Sequence, residues 1–138
     1  MGGLMSVPLV VAGSLGVLAA AVHGGAGEVL VVRHLAPGTL PPTRFGGPAM
    51  TKAMIHVSWH IVTVAFLLLG CALLVAGTTL EDDAREALAI VAAAGFTGSA
   101  ALAAGLGAAH TRSLRGLVRH PGPAVLTATA VLAWWGAT

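Results

Sequence analysis

Four ionisable side chains lie inside apolar stretches of this chain: His23, Glu28, His56 and His60. An ionisable group inside a bilayer is costly, so its presence there is by default a hypothesis of function. Neutral imidazole is the commonest metal ligand in proteins, and a carboxylate can complete such a site. If the fold places these side chains together, their types predict a site for a metal ion or another polar ligand.

The composition predicts that these residues lie in an integral membrane protein. The 138 residues are 57% hydrophobic and only 9% charged, with a mean hydropathy of +0.90. A soluble domain has about 25% charged residues, so this chain has too few charges to cover a globular surface. The basic residues lie in short loops instead of one stripe, which predicts no nucleic-acid partner.

The apolar runs predict an all-α fold, a four-helix transmembrane bundle in a single domain. The spans are expected at about residues 6–32, 50–76, 84–109 and 123–137, each long enough to be counted although the fourth is short. Small residues recur at every fourth position of the first and third spans, which lets helices approach closely in lipid. They are Ala12, Gly16, Ala20 and Gly24 in the first, and Gly95, Ser99, Ala103 and Gly107 in the third.

The charges of the loops predict the orientation of the bundle. Positive loops remain cytoplasmic. The first loop carries Arg33, Arg44 and Lys52, and the third carries Arg112, Arg115 and Arg119, whereas the second is acidic. Both termini are therefore expected outside, in a multi-pass protein of the cell's inner (plasma) membrane. Trp134 and Trp135 would lie at the outer interface.

Counting from the cytoplasmic ends of the first two spans predicts two levels of polar residues. His23 and His60 would each lie about 15 Å from the ends, and Glu28 and His56 about 8–9 Å from them. His110 ends the third span on the same side. The expected metal ligands are therefore His23, Glu28, His56, His60 and His110.

Facing is a separate requirement, and Glu28 meets it only if the first helix is irregular. His56 and His60 are four residues apart and share a face. Glu28 is five residues after His23, which in a regular α-helix turns it about 140° away. Gly24, Gly25 and Gly27 lie between them, so we predict a π-bulge or glycine kink, a feature frequent at functional sites.

Three interpretations of the cluster remain open from the sequence. The first is a cofactor: iron, copper or zinc, or a haem b held by His23 and His60, with room for the porphyrin beside the glycines near His23. The second is hydrogen bonding between helices with no ligand, in which Glu28 pairs with His56 or His60. The third is a proton or quinone site, with Trp59 lining the pocket.

The residues His23-Gly-Gly-Ala-Gly-Glu28, followed by a basic loop and Trp59-His60-Ile-Val-Thr63, resemble a group of small uncharacterised bacterial membrane proteins with four helices. Those proteins carry an H-x4-E helix followed by a W-H-x-x-[ST] helix. The resemblance covers the first half of the chain. It implies that the two helices pack against each other, and it implies no activity.

Together these features predict a small membrane protein that binds a metal ion or haem near the cytoplasmic side, for electron transfer or metal handling. The bound cofactor would contact His23, His60 and Trp59. The alternative is a non-catalytic accessory or scaffold subunit, in a homo-oligomer or a larger membrane complex. The sequence does not decide whether the protein is an enzyme.

Overall fold

Helices make up the regular secondary structure of the described chain, which comprises residues 5–111 and 120–138 of a computed structural model. Helix α1 (Val7–Ala21), a π-helical turn (Val22–Ala26) and α2 (Gly27–Leu30) follow one another without a break. They are followed by α3 (Pro48–Thr78), α4 (Asp82–Thr111) and α5 (Pro121–Ala137). The all-helical prediction is confirmed. The third loop and its arginines, and the side chain of His110, lie outside the described residues.

Three of the helical segments are long and apolar enough to cross a membrane: Val7–His34, Pro48–Thr78 and Asp82–Ala109. At 1.5 Å per residue, α3 is about 46 Å long, which exceeds the hydrocarbon core of about 30 Å. Helix α5 has 17 residues and is shorter than α3, α4 and the continuous helical segment of residues 7–30, as the sequence predicts for the fourth span. Proline at the start of α3 and α5 suits a first helical turn, where no N–H is required.

The helices form a ring in which α1 contacts α3 and α5, and α4 contacts the same two helices. The N–H of Ser6, before α1, donates to the carbonyl of Gly77 near the end of α3, at 2.9 Å. Gly136, near the end of α5, lies against Leu9 of α1. Helices α3 and α5 therefore run antiparallel to α1. The start of α1 and the end of α5 share one end of the bundle, and α2 and the start of α3 lie at the other.

Small residues allow α1 and α3 to approach closely. A Cβ added to Gly16 would lie 2.9 Å from Cα of Gly70, and one added to Gly70 would lie 2.7 Å from the backbone nitrogen of Val17. Neither helix can therefore carry a side chain at this crossing. Ala12, Gly16 and Ala20 are buried, so the predicted packing role of this stripe is confirmed. The large core residues around it are Leu9, Phe66, Leu73, Phe96 and Leu126.

Candidate metal site between the first and third helices

The first helix is irregular where the sequence predicts it to be. Residues Val22–Ala26 form a π-helical turn that contains His23, Gly24 and Gly25. A π-turn bonds residues five apart along the chain, in place of four. The extra residue brings Glu28 round toward the side that His23 occupies, facing α3. The prediction of a π-bulge or kink between His23 and Glu28 is confirmed.

Trp59 of α3 packs directly against this turn. Its indole N–H donates to the carbonyl of His23, with 2.8 Å between nitrogen and oxygen. A Cβ added to Gly27 would lie only 2.5 Å from Cζ2 of the indole, and one added to Gly24 would lie 2.6 Å from Cγ2 of Thr63. Glycine is therefore required at both positions for α3 to pack this closely. Trp59 contacts the backbone of the turn and holds it in register with α3.

The π-turn and α3 together place one carboxylate between two imidazoles. Oε2 of Glu28 lies 3.1 Å from Nε2 of His56 and 3.4 Å from Nε2 of His60. Glu28, His56 and His60 can each offer one ligand atom, and these three atoms all lie within 4.8 Å of one another. His56 and His60 come from successive turns of α3, and their rings are 5.0 Å apart between centroids. We call this group the Glu28 cluster.

The two oxygens of Glu28 have different environments. Oε1 lies 3.4 Å from Nε of Arg33, which is an exposed side chain in the turn after α2. Oε2 is buried and lies at ion-pair distance from both imidazoles, although neither contact meets the full geometry of a hydrogen bond. A proton held on one of the imidazoles would satisfy this oxygen, and so would a cation between Oε2 and the two Nε2 atoms.

His23 lies beside the Glu28 cluster with partners of its own. Its Nδ1 is 3.0 Å from Oγ1 of Thr63. Its ring stacks on Trp59, with centroids 4.4 Å apart and planes 16° from parallel, and meets Phe66 edge-on. Nε2 of His60 faces Glu28, as does Nε2 of His56, so one carboxylate contacts a histidine from each of the two predicted levels.

Room for a porphyrin was expected beside the glycines near His23. The methyl group of Thr63 lies against Gly24 and the indole of Trp59 against Gly27, whereas Gly25 has open space. The contacts of Thr63 with His23 and of Trp59 with the backbone were not predicted from the sequence. Trp59 and Thr63 are four residues apart, which places both on one face of α3. This spacing was the sequence feature from which the two contacts could have been predicted.

Comparisons with protein-family models, with curated proteins and with solved structures find no match to this chain. The resemblance to small four-helix bacterial membrane proteins therefore stays a prediction. Function is therefore inferred from the geometry of the site.

Proposed function

We propose that the chain is an integral membrane protein whose Glu28 cluster binds a transition-metal ion. Three apolar helices of sufficient length support insertion. So do the large apolar side chains that α3 exposes on its outer face, which water would disfavour and lipid would accept. They include Val57, Ile61, Val64 and Leu68.

The charges of the loops support an orientation with the first and third loops in the cytoplasm and both termini outside. In this orientation the Glu28 cluster lies toward the cytoplasmic end of the bundle, because α2 and the start of α3 are at the end opposite the termini. The chain would then be a multi-pass protein of the inner membrane.

The placement of the buried Oε2 of Glu28 between two imidazole nitrogens carries the proposal of a metal. Two ligands of one tetrahedral ion, each bound at about 2.0–2.1 Å, lie about 3.3 Å apart. The observed contacts of Oε2 with His56 and His60 are 3.1 and 3.4 Å. The three ligand atoms all lie within 4.8 Å of one another, so the two imidazoles would have to approach each other for one ion to bind all three at these distances.

Two imidazoles and one carboxylate suit zinc, iron or Cu(II), and they suit Cu(I) less well, since soft sulfur ligands favour that ion. Three protein ligands leave at least one position open, which is typical of sites that bind or exchange a further ligand. Arg33, on the other oxygen of Glu28, would orient the carboxylate, as the outer partners of metal ligands commonly do. His23 would lie adjacent to the site without binding the ion.

A haem held by His23 and His60 receives less support than a single ion. The porphyrin would have to enter between α3 and the π-turn, where side chains added to Gly24 or Gly27 would already overlap α3. His23 is also engaged by Thr63 and Trp59. We therefore propose metal handling or metal-dependent chemistry in preference to haem-based electron transfer.

The proposal is tested by measuring the metal bound to protein purified in mild detergent without chelators. We expect one equivalent of zinc or iron by elemental analysis, and saturable binding when stripped protein is titrated. His60→Ala should abolish stoichiometric binding, whereas His34→Ala, which removes an exposed histidine outside the Glu28 cluster, should not. Folded wild-type protein that binds no ion at micromolar concentrations would overturn the proposal and favour a scaffold subunit with an unliganded polar network.

A further inference from the structure

A tight turn in the first loop presents one basic and one aromatic side chain at its tip. The N–H of Thr43 donates to the carbonyl of Gly46 at 2.9 Å, and the N–H of Gly46 donates to the carbonyl of Thr43 at 3.3 Å. Arg44 and Phe45 are the two exposed residues between these bonds. We call residues 43–46 the Arg44 turn. Because its ends are bonded in both directions, the backbone at the tip is ordered before any partner binds, which lowers the entropy cost of binding.

Contacts with α3 fix where this turn lies in the bundle. The hydroxyl of Thr51, near the start of α3, donates to the carbonyl of Pro41 at 2.6 Å. A Cβ added to Gly46 would lie 2.9 Å from Cβ of Met50. The Arg44 turn is therefore packed against the start of α3, at the end of the bundle opposite the termini.

The length of α3 places this end among lipid headgroups once the protein is inserted. Its 31 residues extend about 46 Å, whereas a bilayer with both headgroup layers is about 40–45 Å thick. The helix is therefore long enough to span both headgroup layers as well as the hydrocarbon core. Its exposed apolar side chains also continue to Met54 and Met50 beside the Arg44 turn, each 45% exposed. In the proposed orientation, the turn thus lies at the level of the cytoplasmic headgroups.

The positive charges near this turn have no acidic neighbours in the sequence. The first loop carries Arg33 and Arg44, and Lys52 follows in α3, but no acidic residue lies between Glu28 and Glu81. Arg33 contacts Glu28. Arg44 and Lys52 form no ion pair with any residue that the structure describes. Charge complementarity therefore favours an anionic partner from outside the chain.

Phe45 favours lipid as that partner. Its side chain is 81% exposed, more than any other large apolar side chain among the described residues. A soluble anion bound to Arg44 would leave this ring in water, which disfavours exposed apolar surface. Segments that lie in a membrane interface combine basic residues with aromatic or aliphatic ones that enter below the headgroups. The two residues at the tip of the Arg44 turn have this composition.

We propose that the Arg44 turn binds anionic phospholipid in the cytoplasmic leaflet. The guanidinium of Arg44 pairs with the headgroup phosphate, and the ring of Phe45 enters the boundary between headgroups and acyl chains. Lys52 adds a second positive charge at the same end of the bundle. This inference rests on the membrane insertion of the proposed function and is independent of the metal. It makes the first loop a lipid-binding element of the protein.

A nitroxide at position 45 tests the location of the turn. It is attached to Phe45→Cys, and for comparison to Gly38→Cys in the same loop, where an added Cβ would meet nothing within 4 Å. Both proteins carry Cys71→Ser, so that only one thiol reacts. In nanodiscs of phosphatidylglycerol, we expect the ratio of oxygen to nickel-complex accessibility to be higher at position 45 than at position 38. The ratio at position 45 should fall when phosphatidylcholine replaces phosphatidylglycerol, and when Arg44→Gln is added.

Lipid binding to protein that retains Phe45 supplies the magnitude. By native mass spectrometry, Arg44→Gln should lower the affinity for phosphatidylglycerol about fivefold, as expected from about 1 kcal/mol per basic residue near an anionic surface. Arg44→Lys should retain the wild-type affinity, and the affinity for phosphatidylcholine should be the same in all three proteins. Phe45→Ser should weaken the binding of phosphatidylglycerol. Trp135→Ser, which removes an exposed ring at the other end of the bundle, should leave it unchanged.

Zinc content, measured in the same nanodiscs, separates failure of this inference from failure of the proposed function. Equal accessibility ratios at positions 45 and 38, or an affinity for phosphatidylglycerol that is unchanged in Arg44→Gln, would overturn the inference and leave the metal site standing. Dipolar coupling between nitroxides at position 45 of two copies would assign the turn to a protein contact and also overturn it. The expected lipid binding in protein that holds no zinc would overturn the metal proposal alone. Protein that does not insert into nanodiscs would overturn both.

Discussion

Two glycines in the first helix offer a matched test of how the site is built. Gly25 lies in the π-turn, and a Cβ added there would meet nothing within 4 Å. Gly27 follows the turn, and its Cβ would lie 2.5 Å from Cζ2 and 3.0 Å from Nε1 of Trp59. Alanine at either position removes the same backbone freedom. The two variants therefore differ mainly in whether they displace the indole.

The expected size of the difference follows from these distances. Carbon atoms in ordinary contact are about 3.5–4.0 Å apart, so the indole must move by about 1 Å in Gly27→Ala. The hydrogen bond from Trp59 to the carbonyl of His23, 2.8 Å in the wild type, would then lengthen to about 3.8 Å and be lost. Overpacking costs about 1–3 kcal/mol and the lost bond about 1 kcal/mol, against a gain of about 1 kcal/mol from helix propensity.

Gly27→Ala should thus reduce the free energy of unfolding by about 1–3 kcal/mol, whereas Gly25→Ala should leave it unchanged or raise it by up to about 1 kcal/mol. Because the indole positions the π-turn that precedes Glu28, Gly27→Ala should also weaken zinc binding by about 10–100-fold, as changes around metal ligands do. Gly25→Ala should bind zinc normally.

The assay is unfolding in mixed micelles together with zinc titration of the folded proteins. Equal stability and equal zinc affinity in the two variants would refute the inferred role of Trp59. So would a larger loss in Gly25→Ala than in Gly27→Ala, since position 25 has open space.

Two further predictions concern His23 and pH. Thr63→Val removes the hydroxyl that lies 3.0 Å from Nδ1 of His23, and it should lower the free energy of unfolding by about 1 kcal/mol. Zinc affinity should change less than about threefold. A loss of zinc affinity as large as that of His60→Ala would show that His23 is a ligand. Acidification from about pH 7.5 to about 5.5 should lower zinc affinity at least about tenfold, because protonated imidazole cannot bind the ion. Binding that is independent of pH over this range would argue against imidazole ligands.

The helices were predictable because apolar runs of this length have few other solutions, and proline and glycine mark their ends. The π-turn was predictable for a different reason. His23 and Glu28 could share a face only if the helix departed from its regular period, and Gly24, Gly25 and Gly27 made that departure inexpensive. The sequence thus identified a local irregularity from a functional requirement.

The partners of His23 could not be predicted in the same way. Counting along an axis gives the depth of a side chain, but it gives neither its rotamer nor the direction of a ring nitrogen. His60 therefore seemed to oppose His23, whereas its Nε2 faces Glu28. The same limitation concealed the role of Trp59, because its bond to the His23 carbonyl depends on how closely α3 approaches the turn.

X-ray absorption spectroscopy of the zinc-loaded protein tests the central claim most directly. The account predicts nitrogen and oxygen ligands at about 2.0–2.1 Å with the scattering pattern of two imidazoles and no sulfur. Glu28→Gln should lower zinc affinity about 100-fold or more, so that the imidazole scattering becomes weak. His34→Ala should give the wild-type spectrum. A first shell that contains sulfur, or one that is unchanged in both His56→Ala and His60→Ala, would contradict the account.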